Sequence, residues 1–383
     1  MTEHRLECLH SFDEFMAIRD DWDRFMATSF PENYARSHPW LAAWWATYHH
    51  RRPALVYLQR HWRDNRIIAA APLLIRWDRF GGFPVRAVQS IGSGIGSDDF
   101  LVSPESRGFT AAVFDALHRT GRWELCRLRR CSPDRLRTML AQVHPGLERR
   151  MEPVESDDYY IAFPASYAAY HQSRSRKFRR NLNQALNRLE REGTVTMEVL
   201  DPFRDAARVA TLGRAVAGTS WQYRAGKSHF NDSGSASFYA NLARTGCGAG
   251  GEEFSVLLVA DRPVAYLLGC RRGHTYYAVD TAFHADYRHV SAGRILFGRV
   301  FERLIRQGGV DYFDFEGSGD YKDDYATDRR RAVSLVIYNH TLYPRCIKLL
   351  RETGLYARLR STLCGDPGIT AAGVPTEQAE AHP

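Results

Sequence analysis

The sequence predicts a mixed α/β (α+β) protein built from two tandem domains of one type, with mainly antiparallel central sheets. Three observations carry this. The chain has 383 residues, a length that at about 100–200 residues per domain suggests two. Each half shows the same order of a hairpin, a third strand, a glycine-containing turn, a helix and a strand. Three consecutive strands in each half also exclude a Rossmann arrangement, where strands alternate with helices. No repeat at a fixed period accompanies the shared order, so the likeness is one of pattern.

In the first half, Ser11–Ala27 reads as a helix, with Phe12, Phe15, Trp22 and Phe25/Met26 as its apolar stripe. Pro39–Tyr48 is a second, Trp-rich helix. Ala54–Arg60 and Arg66–Arg76 form a hairpin around Arg63-Asp64-Asn65, and Val85–Ile91 is a third strand. A glycine-rich stretch (Gly92, Gly94, Gly96) follows, then a helix over Ser106–Thr120, a strand over Glu124–Leu128 and a helix over Asp134–Val143. Asp157–Phe163 is a strand leading toward the second half.

In the second half, Ser173–Arg191 has the clearest helical face. Phe178, Leu182, Ala185/Leu186 and Leu189 recur at helical spacing, and Glu192-Gly193 ends the element as a C-cap. Val195–Leu200 is a strand and Pro202–Ala217 a helix. Phe254–Ala260 and Pro263–Cys270 form a hairpin at Asp261-Arg262, and His274–Thr281 is the third strand. Ser291–Gln307 is a helix with Leu296, Val300 and Leu304 on one face. Val310–Phe315 and Ala332–Tyr338 are the last strands. The expected domains are 1–165 and 166–364, followed by a disordered Ala/Gly/Pro-rich tail, 365–383.

Hydrophobic residues make up 44% and charged residues 25%, ordinary values that exclude a disordered, collagen-like or coiled-coil chain. The net charge is +8, which directs attention to anionic partners. Only four of the 52 basic residues are lysine: Lys177, Lys227, Lys322 and Lys348. A uniform arginine bias is weak evidence for nucleic acid, but it makes each lysine worth following. The start of the chain shows no apolar signal region, and Ile67–Ile75 is too short to span a membrane. Seven scattered cysteines without a C-x-x-C pair fit reduced thiols. The expectation is a soluble cytoplasmic protein without a membrane span.

Several motifs fall short of a site. The Gly92–Gly96 stretch is G-x-G-x-G without a surrounding βαβ unit and reads as a loop. Gly226-Lys227-Ser228 resembles the end of a P-loop, but Trp221 stands where the earlier glycine belongs. His284, Asp286 and His289 match no standard metal spacing and read as a solvated turn, so no metal is expected.

Two stretches are more informative. Tyr276–Asp280 leads through a turn into Tyr287-Arg288-His289-Val290-Ser291-Ala292-Gly293-Arg294. There a strand enters a helix whose first turn carries small residues. Free N–H groups and the helix dipole at such a start suit a pyrophosphate, with Arg288 and Arg294 adding charge. The plainer alternative is an ordinary helix start capped by Ser291. The second stretch is Asp314-Phe315-Glu316-Gly317-Ser318-Gly319-Asp320-Tyr321-Lys322. Here a strand ends in a glycine turn among carboxylates and tyrosines, a common place for function. A solvated acidic turn is its plainer reading.

These two blocks resemble the CelD-type, polysaccharide-associated acetyltransferases of the GNAT superfamily, relatives of the Fem peptidyltransferases. Ser173–Leu182, Ser37-His38-Pro39-Trp40 and Ala70-Ala71-Pro72-Leu73 add to the resemblance, which runs from about Ser37 to Tyr338. It implies two GNAT-like domains in tandem and an acyl donor, usually acetyl-CoA. Fem relatives use aminoacyl-tRNA instead. The usual acyl-CoA loop reads R/Q-x-x-G-x-G/A. Arg288–Gly293 keeps Gly293 but has Ser291 at the first glycine.

The resemblance implies direct attack of a neutral amine on a thioester. Asp280, ending the strand, is the expected base, with Glu316 and Asp320 as alternatives. Tyr321 is the expected acid for the leaving thiolate, and Lys322 would stabilise negative charge. Arg288, Ser291, Ala292, Gly293 and Arg294 would hold acetyl-CoA. Arg176, Lys177, Arg180 and Trp221 would contact an anionic acceptor, such as a nucleotide-linked or lipid-linked sugar. The basic helix also reads as a solvated face. It offers only Phe178 for stacking, which lowers a tRNA reading. Three functions are carried forward: an acyl-CoA-dependent N-acetyltransferase in polysaccharide or envelope synthesis, a Fem-like aminoacyl-tRNA-dependent transferase, and a degenerate, non-catalytic binding protein.

Overall fold

The computed structural model describes residues 6–48, 54–92, 96–142, 151–220, 238, 241–242, 244–245, 251–317 and 319–353, without the side chains at 151, 152 and 320. The chain is a mixed α/β protein of two compact units. Among the described residues, the first unit holds 6–21, 54–155 and 332–353, and the second holds 22–48 and 156–331. The sequence expectation put one boundary at 165/166. The division instead falls between Glu155 and Ser156, with an N-terminal segment assigned to the second unit and a C-terminal one to the first.

The strands of the first unit are β1 (Leu6–Leu9), β2 (Ala54–Arg60), β3 (Ile67–Phe80), β4 (Phe83–Ser90), β5 (Leu101–Val102) and β6 (Leu125–Cys131). Most of β13 (Asp328–Tyr338) joins them. Their order is β1-β2-β3-β4-β6-β13, with β5 on β3. All steps are antiparallel except β4–β6, which is parallel. The helix α4 (Phe109–Thr120) makes the crossover that a parallel pair requires.

The second unit repeats this plan. Its strands are β7 (Met151–Ala162, mostly), β8 (Val195–Leu200), β9 (Glu252–Val259), β10 (Arg262–Arg272), β11 (Thr275–Phe283) and β12 (Tyr312–Asp314). The order is β8-β9-β10-β11-β12-β7, again antiparallel except for one parallel step, β11–β12. The shared order in the sequence thus corresponds to a shared topology. The sixth strand of each unit comes from elsewhere in the chain. β13, last in sequence, completes the first unit, and β7 from mid-chain completes the second.

Most elements lie within a few residues of their expected places. The first helix is in fact two, α1 (Phe12–Ala17) and α2 (Arg19–Ser29), separated at Ile18, whose N–H turns back to Phe15 and Met16. α3 (His38–Tyr48) and α5 (Pro133–Leu140) are as expected, apart from their ends. The helix expected from Ser173 is α6 (Tyr167–Ser173) followed by α7 (Arg176–Glu192). Ser175 caps α7 by accepting the Phe178 N–H. α8 (Ala206–Ala217) and α9 (Ala292–Gln307) flank the second sheet. α10 (Asp320–Asp323), α11 (Leu342–Glu352) and β1 were not anticipated. The β9–β10 hairpin turns on Ala260 and Asp261, both at positive φ (45° and 64°), as a two-residue turn of matching twist requires.

Each unit has its own core. In the second, α9 lays Phe297 and Phe301 against Phe313 and Phe315 from β12 and its following loop. The Phe301–Phe313 and Phe313–Phe315 ring centroids are 4.8 and 4.9 Å apart, in edge-on geometry. In the first, Phe100, Phe109 and Phe114 pack with Leu335 and Ile337 of β13.

Candidate functional site

The site is built around β11. Its register with β10 slips between Leu268 and Gly269: Leu268 faces Asp280 while Gly269 faces Ala278. Val279 is therefore the extra residue of a β-bulge. Tyr266 and Leu268, two apart on β10, lie on one sheet face. Asp280 accepts a hydrogen bond from the Tyr266 hydroxyl (2.8 Å), and Val279 lines a small pocket with Leu268. The bulge thus turns two consecutive residues, Val279 and Asp280, to the same face. On that face Tyr277 meets Tyr34, with ring centroids 5.0 Å apart, and Tyr34 meets Trp40 at 5.1 Å.

β11 also outlasts its parallel neighbour. Pairing with β12 ends at Tyr277–Asp314, and β11 continues to Phe283. Among the described residues, no strand pairs with 278–283 on that side. Beside this opening stands the loop that follows β12. Asp314 is buried, accepts the Glu316 N–H (2.8 Å) and pairs with Arg330. Glu316 adopts φ +55°, a left-handed conformation unusual for a residue with a side chain.

Lys322 lies just beyond that loop, in α10. Its side chain is buried, and its ammonium donates to the carbonyls of Phe315 (2.9 Å) and Gly317 (3.1 Å). The cation is taken up by the loop, which it ties to α10. The next residue back, Tyr321, is about half exposed (49%). Partial burial raises its hydroxyl pKa first, and the negative charge of Asp280 raises it further. The two residues expected as acid and base are therefore within electrostatic reach of each other. The side chain of Asp320 lies outside the described residues.

The start of α9 completes the site. Ser291 adopts the left-handed conformation (φ 53°, ψ 46°), which explains why glycine is the usual residue there. It occupies the N-cap position, but its side chain makes no capping bond. Ala292 is fully buried. A Cβ placed on Gly293 would meet only the Phe283 ring, at 3.6 Å. Arg288 is exposed, and among the described residues it has no ion pair. Arg294 has partners within the protein. It pairs with Asp324 (2.9 Å) and lies over the rings of Phe178 (5.1 Å) and Tyr325 (5.8 Å). It thereby fastens α9 to the segment after α10 and to α7.

Arg176, Lys177 and Arg180 lie exposed on the first turns of α7 and have no ion pair among the described residues. Trp221 and the Gly226-Lys227-Ser228 segment lie outside the described residues, as do 93–95 of the glycine stretch and the tail. His284 accepts the Asp286 N–H through Nδ1 (3.3 Å) at the start of a 3-10 turn, and His289 Nε2 lies 3.4 Å from Glu192. Among the described residues no group of three His, Cys, Asp or Glu side chains is placed to hold a metal, and no helix is long and apolar enough to cross a membrane.

Sequence reasoning missed Tyr266 and Tyr34, and took in Trp40 only through the Ser37-His38-Pro39-Trp40 resemblance. Tyr266 becomes visible only with the strand register. Tyr34 lies far away in sequence, and only the aromatic density of 34–45 could have marked it.

Residues 176–326 match the family model of the acetyltransferase (GNAT) domain, which spans β8–β12, α7–α10 and the loops around Asp280 and Tyr321. No curated protein matches the chain. Among solved structures, FemX is similar at a TM-score of 0.52, with 12% identity, covering 85% of this chain and 97% of its own. A conserved protein of unknown function from Bacteroides thetaiotaomicron is similar at 0.50, with 14% identity and the same coverage. A tandem GNAT protein from the clavulanic acid biosynthesis pathway scores 0.49 at 12% identity, covering 87% of this chain and 98% of its own. At such identities the likeness is one of fold. Asp280 and Tyr321 both lie within the segment of the second unit that matches this family model.

Proposed function

We propose that the chain is an acyl-CoA-dependent N-acyltransferase, with acetyl-CoA as donor and an amine such as an amino sugar as acceptor, working in the cytoplasm in polysaccharide or envelope synthesis. The observation that carries this reading is Asp280, turned by the bulge onto the Tyr266 face and held by the Tyr266 hydroxyl, on the strand leading to a helix start without a side-chain cap, within the segment matching the GNAT domain.

The acceptor amine attacks the thioester carbonyl carbon. The C–N bond forms, and the amine proton passes to Asp280. As the tetrahedral centre collapses, the C–S bond breaks and the thiolate takes the phenolic proton of Tyr321. Asp280 is oriented by Tyr266, as a base needs to be. The raised pKa of Tyr321 keeps its proton in place at neutral pH. A backbone N–H at the bulge would serve the oxyanion. The amides of Ala292 and Gly293, with Arg288, would receive the diphosphate. Lys322 and Arg294 act as positioning residues. Glu316, held in its turn, is a second-choice base.

Acetyl transfer to a panel of amines, followed by mass spectrometry, tests this reading. D280N and Y321F should each lose turnover, and wild-type turnover in both would refute the assignment. Arg176, Lys177 and Arg180, exposed and without an ion pair among the described residues, favour a second reading, transfer from aminoacyl-tRNA. Retention of tRNA without acetyl-CoA binding would select it.

A further inference from the structure

α10 is a single helical turn, too short to hold itself in water. It carries Tyr321, whose ring is about half exposed, so that the backbone beneath it sets where the hydroxyl points. Lys322 fixes the entry of the turn by donating to the Phe315 and Gly317 carbonyls. The exit is fixed from another element. Arg174 lies in the joint between α6 and α7, in extended backbone (φ −80°, ψ 156°). Its Nη1 donates to the carbonyl oxygens of Tyr325 (3.0 Å) and Ala326. Tyr170 of α6 gives the Tyr325 carbonyl a second donor, its hydroxyl (3.0 Å), and its ring lies 5.2 Å from the guanidinium. Among the described residues Arg174 has no carboxylate partner. Its guanidinium serves carbonyls just past α10, as a basic side chain does at a helix C-terminus. This hold reaches Tyr321 in one step. The Lys322 carbonyl accepts the N–H groups of both Tyr325 (3.1 Å) and Ala326 (3.0 Å), so the residues fastened by Arg174 are bonded to the neighbour of Tyr321.

We propose that Arg174 is a positioning residue for Tyr321: by holding the Tyr325 and Ala326 carbonyls it fixes the exit of α10 and with it the direction of the Tyr321 hydroxyl. This rests on the acyl-transfer reading above, in which Tyr321 gives its proton to the leaving thiolate. The segment keeps its place in the fold without Arg174, because the Tyr325 ring packs edge-on against Phe178 (5.3 Å) and beside Phe297 (5.4 Å). Arg174 adds direction. Without the guanidinium the Tyr325 carbonyl keeps the Tyr170 hydroxyl, whereas the Ala326 carbonyl loses its tie to α6 and α7. The turn can then tilt about its Lys322 end, and an acid misplaced by about 1 Å is a poor one. None of these bonds involves Ser291–Arg294, the segment assigned above to the donor, so the effect falls on turnover rather than on donor binding.

The test uses the full chain, acetyl-CoA as donor and, as acceptor, whichever of glucosamine, n-butylamine and glycinamide is acetylated fastest. R174M keeps an unbranched side chain and removes its donors. Its kcat should fall about ten-fold or more, with KM for acetyl-CoA within about two-fold, as expected for a group that acts on the transition state alone. R174K should recover kcat to within about three-fold of wild type, because one ammonium can serve both carbonyls, as Nη1 does. In a Y321F background R174M should lower kcat by no more than about two-fold further, since the residue it positions has lost its proton donor. An unchanged kcat in R174M, a loss carried by the KM for acetyl-CoA, no recovery in R174K, or an equal loss in both backgrounds overturns the proposal. If R174M does not fold, R174Q, which can still donate to one carbonyl, carries the same comparisons. Two levels of failure are distinct. Loss of turnover in Y321F with wild-type kcat in R174M overturns the role of Arg174 and leaves the acyl-transfer reading standing. Wild-type turnover in Y321F, or no acetylation of any of the three amines, overturns that reading and this proposal with it.

Discussion

The Tyr266 hydroxyl donates to Asp280 Oδ2 across adjacent strands at 2.8 Å, and the bulge at Val279 puts Asp280 opposite Leu268, on the Tyr266 face. If Asp280 is the base, D280N should lower kcat by about 10²–10⁴-fold, the range for a positioned proton acceptor. Y266F should cost less and act mainly on kcat, because it loosens the base without removing it. Steady-state kinetics on both variants checks this, and an equal loss in the two would make Tyr266 more than a positioning group.

Tyr321 must hold its proton until the thiolate leaves. Its pKa is raised above the ordinary 10.0, first by burial and then by the charge of Asp280. The acid is competent below that pKa and fails above it. Any decline in kcat from its ionisation therefore lies above pH ~10. In D280N the second cause disappears and the limb should move down. Y321F should abolish the limb along with most of kcat. A pH–rate profile between neutrality and pH ~11 reads both effects.

Removing the ammonium of Lys322 leaves the Phe315 and Gly317 carbonyls without a donor in a buried loop. K322M should cost about 2–4 kcal/mol of stability, given two hydrogen bonds from a charged donor. It should also lower kcat through Tyr321, its neighbour on α10. Urea denaturation alongside the acetylation assay measures both. Full stability with lost activity would return Lys322 to a direct chemical role.

The parts legible in the sequence were those set by local pattern. The hairpins near 260–262 and 63–65, the amphipathic helices and the three-strand runs all depend on neighbours in sequence. The topology common to both units followed from that order. The exchanged sixth strands, β7 and β13, were not legible, because an apolar run does not specify its partner strand. The same holds for the site. Asp280 and Tyr321 could be marked from their places at strand ends and from the family resemblance. The bulge, Tyr266 and the docking of Tyr34 and Trp40 arise from long-range pairing. The local partners of Lys322 and Arg294 were not legible for a related reason. A scarce cation suggests chemistry, whereas its two carbonyls, or its carboxylate and rings, are visible only in the fold.

Gly269 illustrates a constraint of the same kind. A Cβ there would run into the hydroxyl oxygen and Cζ of Tyr276, which is fully buried. G269A should destabilise by about 1–3 kcal/mol, as overpacking does. Y276F should give little relief, because the ring carbons also clash. Thermal melts of the single and double variants check this, and a G269A protein of wild-type stability would show that Tyr276 has room to move.

The central claim is that the start of α9, at Ser291–Arg294 beside Asp280 and Tyr321, receives an acyl-CoA. Titration calorimetry with acetyl-CoA tests it most directly, on the wild type and on G293E, which puts a carboxylate among the first amides of α9. The account predicts micromolar binding to the wild type and its loss in a folded G293E protein. No heat from the wild type, or equal affinity in both, would contradict it.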